Sequence, residues 1–169
     1  MHVEFLLAVL FVLTGCSNHP AFLGGAGLPF DGSLTMGMHL AYERGLPLPA
    51  EDIHLPMRFS VEVAVPENGG ETVTWVGASV VWQYLWDHGF GPARPGQWRV
   101  RIDLLTGSGL VLSPDGNTSA WELGARLRFK RTDGVCLDLA HRWVPVKISV
   151  AGHDISDLGG LQVSVGREW

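Results

Sequence analysis

The sequence predicts an all-β protein, an antiparallel up-and-down β-barrel of about eight strands, and three observations lead to this prediction. Apolar residues recur with a period of two along most of the chain, as in strands with one apolar and one polar face. Several of these segments are about ten residues long, and Gly- and Pro-rich connections separate them. Hydrophobic residues make up 46% of the chain and charged residues only 17%. So few charged residues cover the surface of a soluble domain poorly.

Length and charge exclude several other classes of protein. The 169 residues suit one domain, and no helical period interrupts the alternation. The formal net charge of -5 argues against a general nucleic-acid-binding protein. Cys16 and Cys136 are the only cysteines, and the histidines have no ligand spacing, so we expect neither a metal site nor a cofactor.

The beginning of the chain has the character of an export signal. Residues 3–13 are almost wholly apolar, which is too short for a transmembrane helix but suits the hydrophobic region of a signal peptide. Leu13-Thr14-Gly15-Cys16 follows and resembles the lipobox of bacterial lipoproteins, which implies lipidation of Cys16. Residues 1–4 depart from the expected pattern because they contain no Lys or Arg.

A second interpretation of this segment is an ordinary signal peptide with a chance cysteine. A disulfide between Cys16 and Cys136 is then possible outside the cytoplasm. In either case we divide the chain into a signal peptide with lipobox at residues 1–16, an N-terminal linker at residues 17–31 and a barrel domain at residues 32–169.

Eight strands are predicted from the alternation. In chain order they cover residues 33–42, 53–65, 76–86, 97–104, 109–113, 121–130, 135–143 and 161–169. Thr106-Gly107-Ser108 is interpreted as a tight turn before the fifth strand, which is short for a membrane-spanning strand.

The connections predict which ends of the strands lie together. Residues 43–52, 87–96 and 145–158 form long connections, whereas residues 66–70 and 131–134 form short ones. Outer-membrane barrels have short periplasmic turns and longer outer loops, so we expect both termini on the periplasmic side. Any unknown surface partner would bind residues 43–52, 87–96 and 145–157, because loops vary while the barrel holds them in place.

Two groups of residues favour an apolar face directed outward to lipid. Aromatic residues cluster near strand ends, as in interfacial girdles, at Tyr42, Trp82, Tyr84, Trp86, Trp98, Trp121, Phe129, Trp143 and Trp169. The opposite face carries charges that can pair across a narrow lumen, at Arg99, Arg101, Asp103, Glu122, Arg126, Arg128, Asp138 and Arg142. We interpret these eight residues as an interior charge network; the alternative is a narrow pore.

The last strands resemble a known family. Leu139-Ala140-His141-Arg142-Trp143 and the final segment DLGGLQVSVGREW, residues 157–169, resemble the closing hairpin of opacity-type and OmpA-like barrels. The resemblance implies a Gram-negative outer-membrane protein whose terminal aromatic, Trp169, is recognised by the barrel-assembly machinery. Arg167, which faces outward near the end, departs from the pattern and can snorkel to the headgroups.

Three functions follow from this interpretation. We expect an outer-membrane barrel with a structural or surface-interaction role and no catalysis. The alternative is a soluble, lipid-anchored barrel that binds an apolar ligand in the manner of a lipocalin. A lipid-modifying enzyme is less favoured: the deacylase signature of His and Ser two apart is absent at His141, which leaves only His153 and Ser156 in the last long connection.

Overall fold

A computed structural model describes residues 20–29, 31, 34, 37–47, 54–66, 71–85, 95–150 and 152–169. The signal peptide at residues 1–16, the lipidation of Cys16 and its disulfide with Cys136 lie outside these residues. No helix among the described residues is long and apolar enough to cross a membrane.

The described chain forms ten strands and a closed antiparallel barrel, which confirms the predicted fold class. The strands are β1 Ala21–Pro29, β2 Gly37–Pro47, β3 His54–Ala64, β4 Val73–Leu85, β5 Trp98–Ser113, β6 Gly116–Arg131, β7 Val135–Trp143, β8 Pro145–Val150, β9 His153–Asp157 and β10 Gly160–Glu168. Eight of them close the barrel in the order β1-β10-β7-β6-β5-β4-β3-β2, and β8 and β9 form a separate hairpin.

The structure corrects the prediction of a linker at residues 17–31, because the first barrel strand, β1, lies within it. β1 pairs with β10 on one side and β2 on the other. Its glycines carry no side chains, so no alternation marked it in the sequence. At Gly25 the backbones lie so close that an added Cβ would be 2.7 Å from the Cα of Ser164.

The predicted turn at Thr106-Gly107-Ser108 is also wrong. β5 runs without a break from Trp98 to Ser113, and Gly107 pairs with Ser79 of β4 and Glu122 of β6. Ladders on both sides hold the strand straight where the local sequence is typical of a turn. The expected number of eight strands therefore arose from one missed strand and one strand divided in two.

Because of these two errors, the strands within residues 33–104 run along the barrel in the opposite direction to the predicted one. We name the two ends of the barrel by their residues. At the terminal end, Ala21 pairs with Glu43 and Glu168; at the far end, Pro29 pairs with Gly160. β2 joins β3, and β4 joins β5, at the terminal end, whereas β7 joins β10 at the far end. The three predicted long loops therefore do not share one side of the barrel.

The β8–β9 hairpin occupies most of the predicted last loop and folds against the far end. Asp157 fixes its base, because one carboxylate oxygen accepts hydrogen bonds from the backbone N–H of Val144 at 2.8 Å and of Gly159 at 2.7 Å. The backbone N–H of Ser156 donates to the carboxylate of Asp31 at 3.0 Å. The hairpin is thus attached both to the end of β7 and to the segment after β1.

Candidate functional site

The barrel has a polar interior and an apolar exterior. Along β6 the residues from Ala120 to Arg128 alternate between buried and exposed; Arg126 is 1% exposed and the adjacent Leu127 is 39% exposed. Because side chains alternate across a strand, one face of every barrel strand points into the lumen. Charged residues occupy that inner face in the middle of the barrel.

The exterior carries large apolar side chains around the whole circumference. Those that are exposed on the eight barrel strands include Phe22, Leu28, Met38, Leu40, Val61, Trp82, Trp98, Val100, Leu104, Leu110, Leu112, Trp121, Leu123, Leu127, Leu139, Trp143, Leu161, Val163 and Val165. Trp121 and Trp143 contact each other edge to face, with ring centroids 4.8 Å apart. Isolated exposed apolar residues are normal in soluble proteins, but a continuous belt of this size is not.

The interior charges form what we call the central ion-pair network. Its members are Glu43, Glu62, Asp103, Glu122, Arg126, Arg128, Asp138 and Arg142, all of which are buried. They come from β2, β3, β5, β6 and β7, so the network links most of the barrel wall.

Arg126 and Arg128 organise the part of the network nearer the terminal end. The Arg126 Nε lies 3.0 Å from the Oδ2 of Asp103, and its guanidinium also pairs with Glu43 and Asp138. The Arg128 Nε lies 2.8 Å from the Oδ1 of Asp138, and its Nη1 lies 2.8 Å from the Oε2 of Glu43. Each carboxylate thus accepts hydrogen bonds from two arginines, which is the condition for keeping buried charges at acceptable cost.

Arg142 organises the part nearer the far end. Its Nε donates to the Oε1 of Glu122 at 2.8 Å, and its Nη1 pairs with Glu62. Two further hydrogen bonds reach these carboxylates: Ser79 donates to Glu122 at 2.7 Å, and the Gln162 amide donates to Glu62 at 2.7 Å. The predicted members Arg99 and Arg101 lie at the margin; both are half-buried, and Arg101 pairs with Asp103 at 2.8 Å.

Three charged residues of the barrel interior are absent from the predicted network: Glu43, Arg58 and Glu62. Glu43 was assigned to a loop but belongs to β2, because the strand continues to Pro47. Arg58 and Glu62 fell on the polar face of the predicted second strand, so the alternation already marked them as interior. The signal for these two residues is therefore present in the sequence.

Arg58 differs from the other interior arginines. It is 2% exposed and lies in register between Glu43 of β2 and Ser79 of β4. Both neighbours hydrogen-bond to other groups, and the Arg58 Nε and Nη1 have no hydrogen-bond partner among the described residues. Arg58 therefore balances the charge of nearby carboxylates without a direct pair.

The far end of the interior is apolar. Its cluster, which we call the far-end apolar cluster, contains Leu34, Ala64, Val73, Trp75, Val111, Ala120, Val144, Val146, Val150, Ile155 and Leu158. The indole of Trp75 lies over Gly77 and Gly109, where an added Cβ would meet the ring at 2.8 Å or less. Arg142 approaches the same ring, with its Cζ 5.9 Å from a centroid, and marks the border between the two regions.

The candidate catalytic residues are not brought together. His153 and Ser156 are three positions apart on β9, so they point to opposite faces of the hairpin. His141 is exposed on the outer wall. Within the described ranges no group of three or more His, Cys, Asp or Glu is arranged to hold a metal ion.

Cys136 and Trp169 lie at the terminal end. Cys136 is a buried free thiol that packs with Leu23 and Ala41. Trp169 is 60% exposed, and its backbone N–H donates to the carbonyl of Pro20 at 3.0 Å, which holds Trp169 beside the start of β1.

Comparison with known proteins adds no relative to this description: the sequence matches no protein-family model and no curated protein. The geometry of the barrel itself therefore carries the functional argument.

Proposed function

We propose that this chain is an outer-membrane β-barrel with a structural or surface-interaction role and no catalytic one. The observation that carries the proposal is the inversion of the barrel: charged side chains fill the lumen, and large apolar side chains cover the outer wall. A protein surrounded by water buries these apolar side chains, whereas one surrounded by lipid exposes them.

Strand length and the first residues of the sequence support the same environment. The barrel strands have 9 to 16 residues, and a tilted membrane-spanning strand needs about 9–11. The apolar segment and lipobox-like motif at residues 1–16 support export to the cell envelope. The outer membrane is the envelope compartment in which closed barrels of this kind span the bilayer.

The filled interior supports a role other than transport. The central ion-pair network bridges the lumen from β2 and β3 to β6 and β7, and the far-end apolar cluster covers one mouth of the barrel. Eight-stranded barrels are narrow enough for side chains to fill them. The β8–β9 hairpin lies at the far end, opposite the terminal end, and is the described surface that we propose to meet an external partner.

The alternative of a lipocalin-like carrier requires an apolar cavity at the centre of the barrel. The described interior has charged groups there instead, and the far-end apolar cluster is occupied by the protein's own side chains. These observations favour the membrane proposal over the carrier.

The proposal is tested by refolding. The full-length chain in urea is diluted into buffer alone and into buffer with detergent micelles, and boiled and unboiled samples are compared by gel electrophoresis. We expect folding and a heat-dependent gel shift only with detergent. A soluble, folded monomer without detergent would overturn the proposal and place the Trp- and Leu-rich face inside a different fold.

A matched pair of variants sharpens the test. Leu139 is exposed on the outer wall in the middle of β7, and Asp138 beside it is buried. Leu139→Arg should destabilise the barrel in lipid vesicles by about 2–4 kcal/mol, the cost of a cation near the bilayer midplane. The control Leu139→Ala introduces no charge and should have a much smaller effect; equal effects would argue against lipid contact at this position.

A further inference from the structure

The charged residues on the outer wall of the described barrel strands are all arginines, and they all lie at the terminal end. Among the described residues of the eight barrel strands, the outward positions carry no Asp or Glu. They do carry Arg44, Arg131 and Arg167, all at the terminal end. A wall that excludes anionic side chains but keeps arginines at one edge indicates negative charge outside that edge.

Arg167 is the arginine best placed to meet that charge. It is exposed on β10, in register with Phe22 of β1 and Val135 of β7, so apolar residues flank it on both sides. No hydrogen bond or ion pair to another described residue occupies its guanidinium. The Cγ of Arg167 passes over Gly134, where an added Cβ would lie 3.7 Å away. This distance is an ordinary van der Waals contact, so the Arg167 side chain packs beside the β6–β7 turn.

The other two arginines are already engaged or covered. Arg131 pairs with Asp133 in the same turn, and its Cζ lies 5.8 Å from the ring centroid of Trp98. Arg44 is 6% exposed. Arg167 is therefore the cation of this edge that is both exposed and free of a partner within the described protein.

Aromatic side chains mark the same edge. Trp98 is 47% exposed and Trp169 is 60% exposed, and Trp169 lies just beyond the end of β10, close to Arg167 in the sequence. Trp and Arg side chains combine apolar bodies with polar ends, which suits the boundary between lipid chains and headgroups.

The far end has the opposite character. Its exposed charged residues within the described ranges are Glu71, Asp115 and Asp154, with Lys147 as the only exposed cation. By the same measure the terminal end exposes Arg167 and Asp133, and Asp133 is paired with Arg131. Among the described residues the unpaired exposed charge at the terminal end is therefore positive, whereas the exposed charge at the far end is mostly negative.

We propose that the terminal edge of the barrel binds the headgroups of anionic phospholipids, with Arg167 as the phosphate contact and Trp169 as the neighbouring anchor. This inference rests on the proposed membrane function and adds to it an orientation and a lipid class. A cation near an anionic bilayer surface contributes about 1 kcal/mol, or about a fivefold change in an equilibrium constant.

The test compares two vesicle compositions, phosphatidylcholine alone and a mixture with phosphatidylglycerol. Urea unfolding of the full-length chain is measured in each at low ionic strength. We expect the wild-type barrel to be more stable in the mixture, and Arg167→Gln to reduce this preference about fivefold in the unfolding equilibrium constant. Arg167→Lys, which keeps the charge, should retain most of the preference.

Lys147→Gln on the β8–β9 hairpin is the control, because it removes the same charge at the far end. Its preference for the mixture should fall much less than that of Arg167→Gln, because Lys147 lies on the hairpin and not on the outer wall. An identical lipid preference in wild type and Arg167→Gln would overturn the inference while leaving the membrane proposal intact. Failure to fold in either kind of vesicle would count against the membrane proposal itself.

Discussion

Two regions of the barrel interior lie on the same wall and have opposite chemistry. The central ion-pair network contains buried arginines and carboxylates that pair with one another, whereas the far-end apolar cluster consists of hydrophobic residues. The difference follows from what closes each region. The β8–β9 hairpin covers the far end with Val146, Val150 and Ile155, so apolar side chains from the wall find apolar partners there.

The centre has no such cover, and the wall strands must fill the lumen with their own side chains. Long arginine side chains can reach across a narrow lumen, and Arg126, Arg128 and Arg142 each have a carboxylate from another strand within hydrogen-bond distance. Breaking a buried pair is costly because it leaves an unpaired charge, whereas trimming an apolar side chain costs only lost contacts and a cavity. The two regions should therefore respond differently to substitution.

The largest effect is expected at Arg126, which pairs with Glu43, Asp103 and Asp138. Arg126→Met should lower the free energy of unfolding by about 3–5 kcal/mol, because three buried carboxylates lose a shared cation. Urea titration in detergent micelles measures the loss. Arg131→Gln serves as the control, since Arg131 lies at the exposed end of the same strand, and it should leave the midpoint almost unchanged.

Neutralising the partners sharpens this prediction. Glu43→Gln, added to Arg126→Met, should recover part of the lost stability, because one unpaired charge is removed. A further loss in the double variant would show that Glu43 contributes through its remaining pair with Arg128 rather than through Arg126.

A smaller and more local effect is expected at Ile155, which is 2% exposed in the far-end apolar cluster. Ile155→Ala should weaken the attachment of the β8–β9 hairpin by about 2 kcal/mol, at the low end of large-to-small core substitutions. Amide hydrogen exchange should accelerate in β8 and β9 and stay slow in β6. The same acceleration in β6 would mean that the hairpin and the barrel unfold as one unit.

A substitution at Gly77 tests the border between the two regions, because the Trp75 indole packs against this glycine. Gly77→Ala should displace the ring and cost about 1–3 kcal/mol by overpacking. The control is Gly27→Ala, where the nearest side-chain atoms are 3.4 Å from an added Cβ. Indole fluorescence and the urea midpoint are measured for both variants. An unchanged Gly77→Ala spectrum would contradict the packing of Trp75 against Gly77.

The smallest effect concerns the β6–β7 turn outside both interior regions. The hydrogen-bonded Arg131 guanidinium lowers the pKa of Asp133 to about 2. Because the folded-state pKa lies below the ordinary value, the pair stabilises the turn above about pH 4, and this contribution is lost as the pH falls toward 2. Carboxyl-carbon NMR in micelles should show titration near pH 2, and Arg131→Gln should move it upward; titration of the wild type at the ordinary pKa would contradict the pairing.

The sequence by itself determined the class of fold and the two faces of its wall. Alternation is a local property: each of Glu122, Arg126 and Leu127 is assigned to a face by its distance along one strand, with no knowledge of the neighbours. The low charged fraction of 17% agreed with an apolar outer face. Six of the eight residues expected inside are buried there, and the other two lie at the margin.

Only the tertiary structure decided that β1 is a strand, that β5 continues through Gly107, and which charged residues pair. β1 is rich in glycine and gives no side-chain pattern, so its pairing with β2 and β10 reveals it. Gly107 continues a strand because ladders hold it on both sides, although its local sequence is typical of a turn. Arg126 is 83 positions from Glu43, and no local period encodes such a contact. Register and barrel closure bring these residues together, because they depend on all eight strands at once.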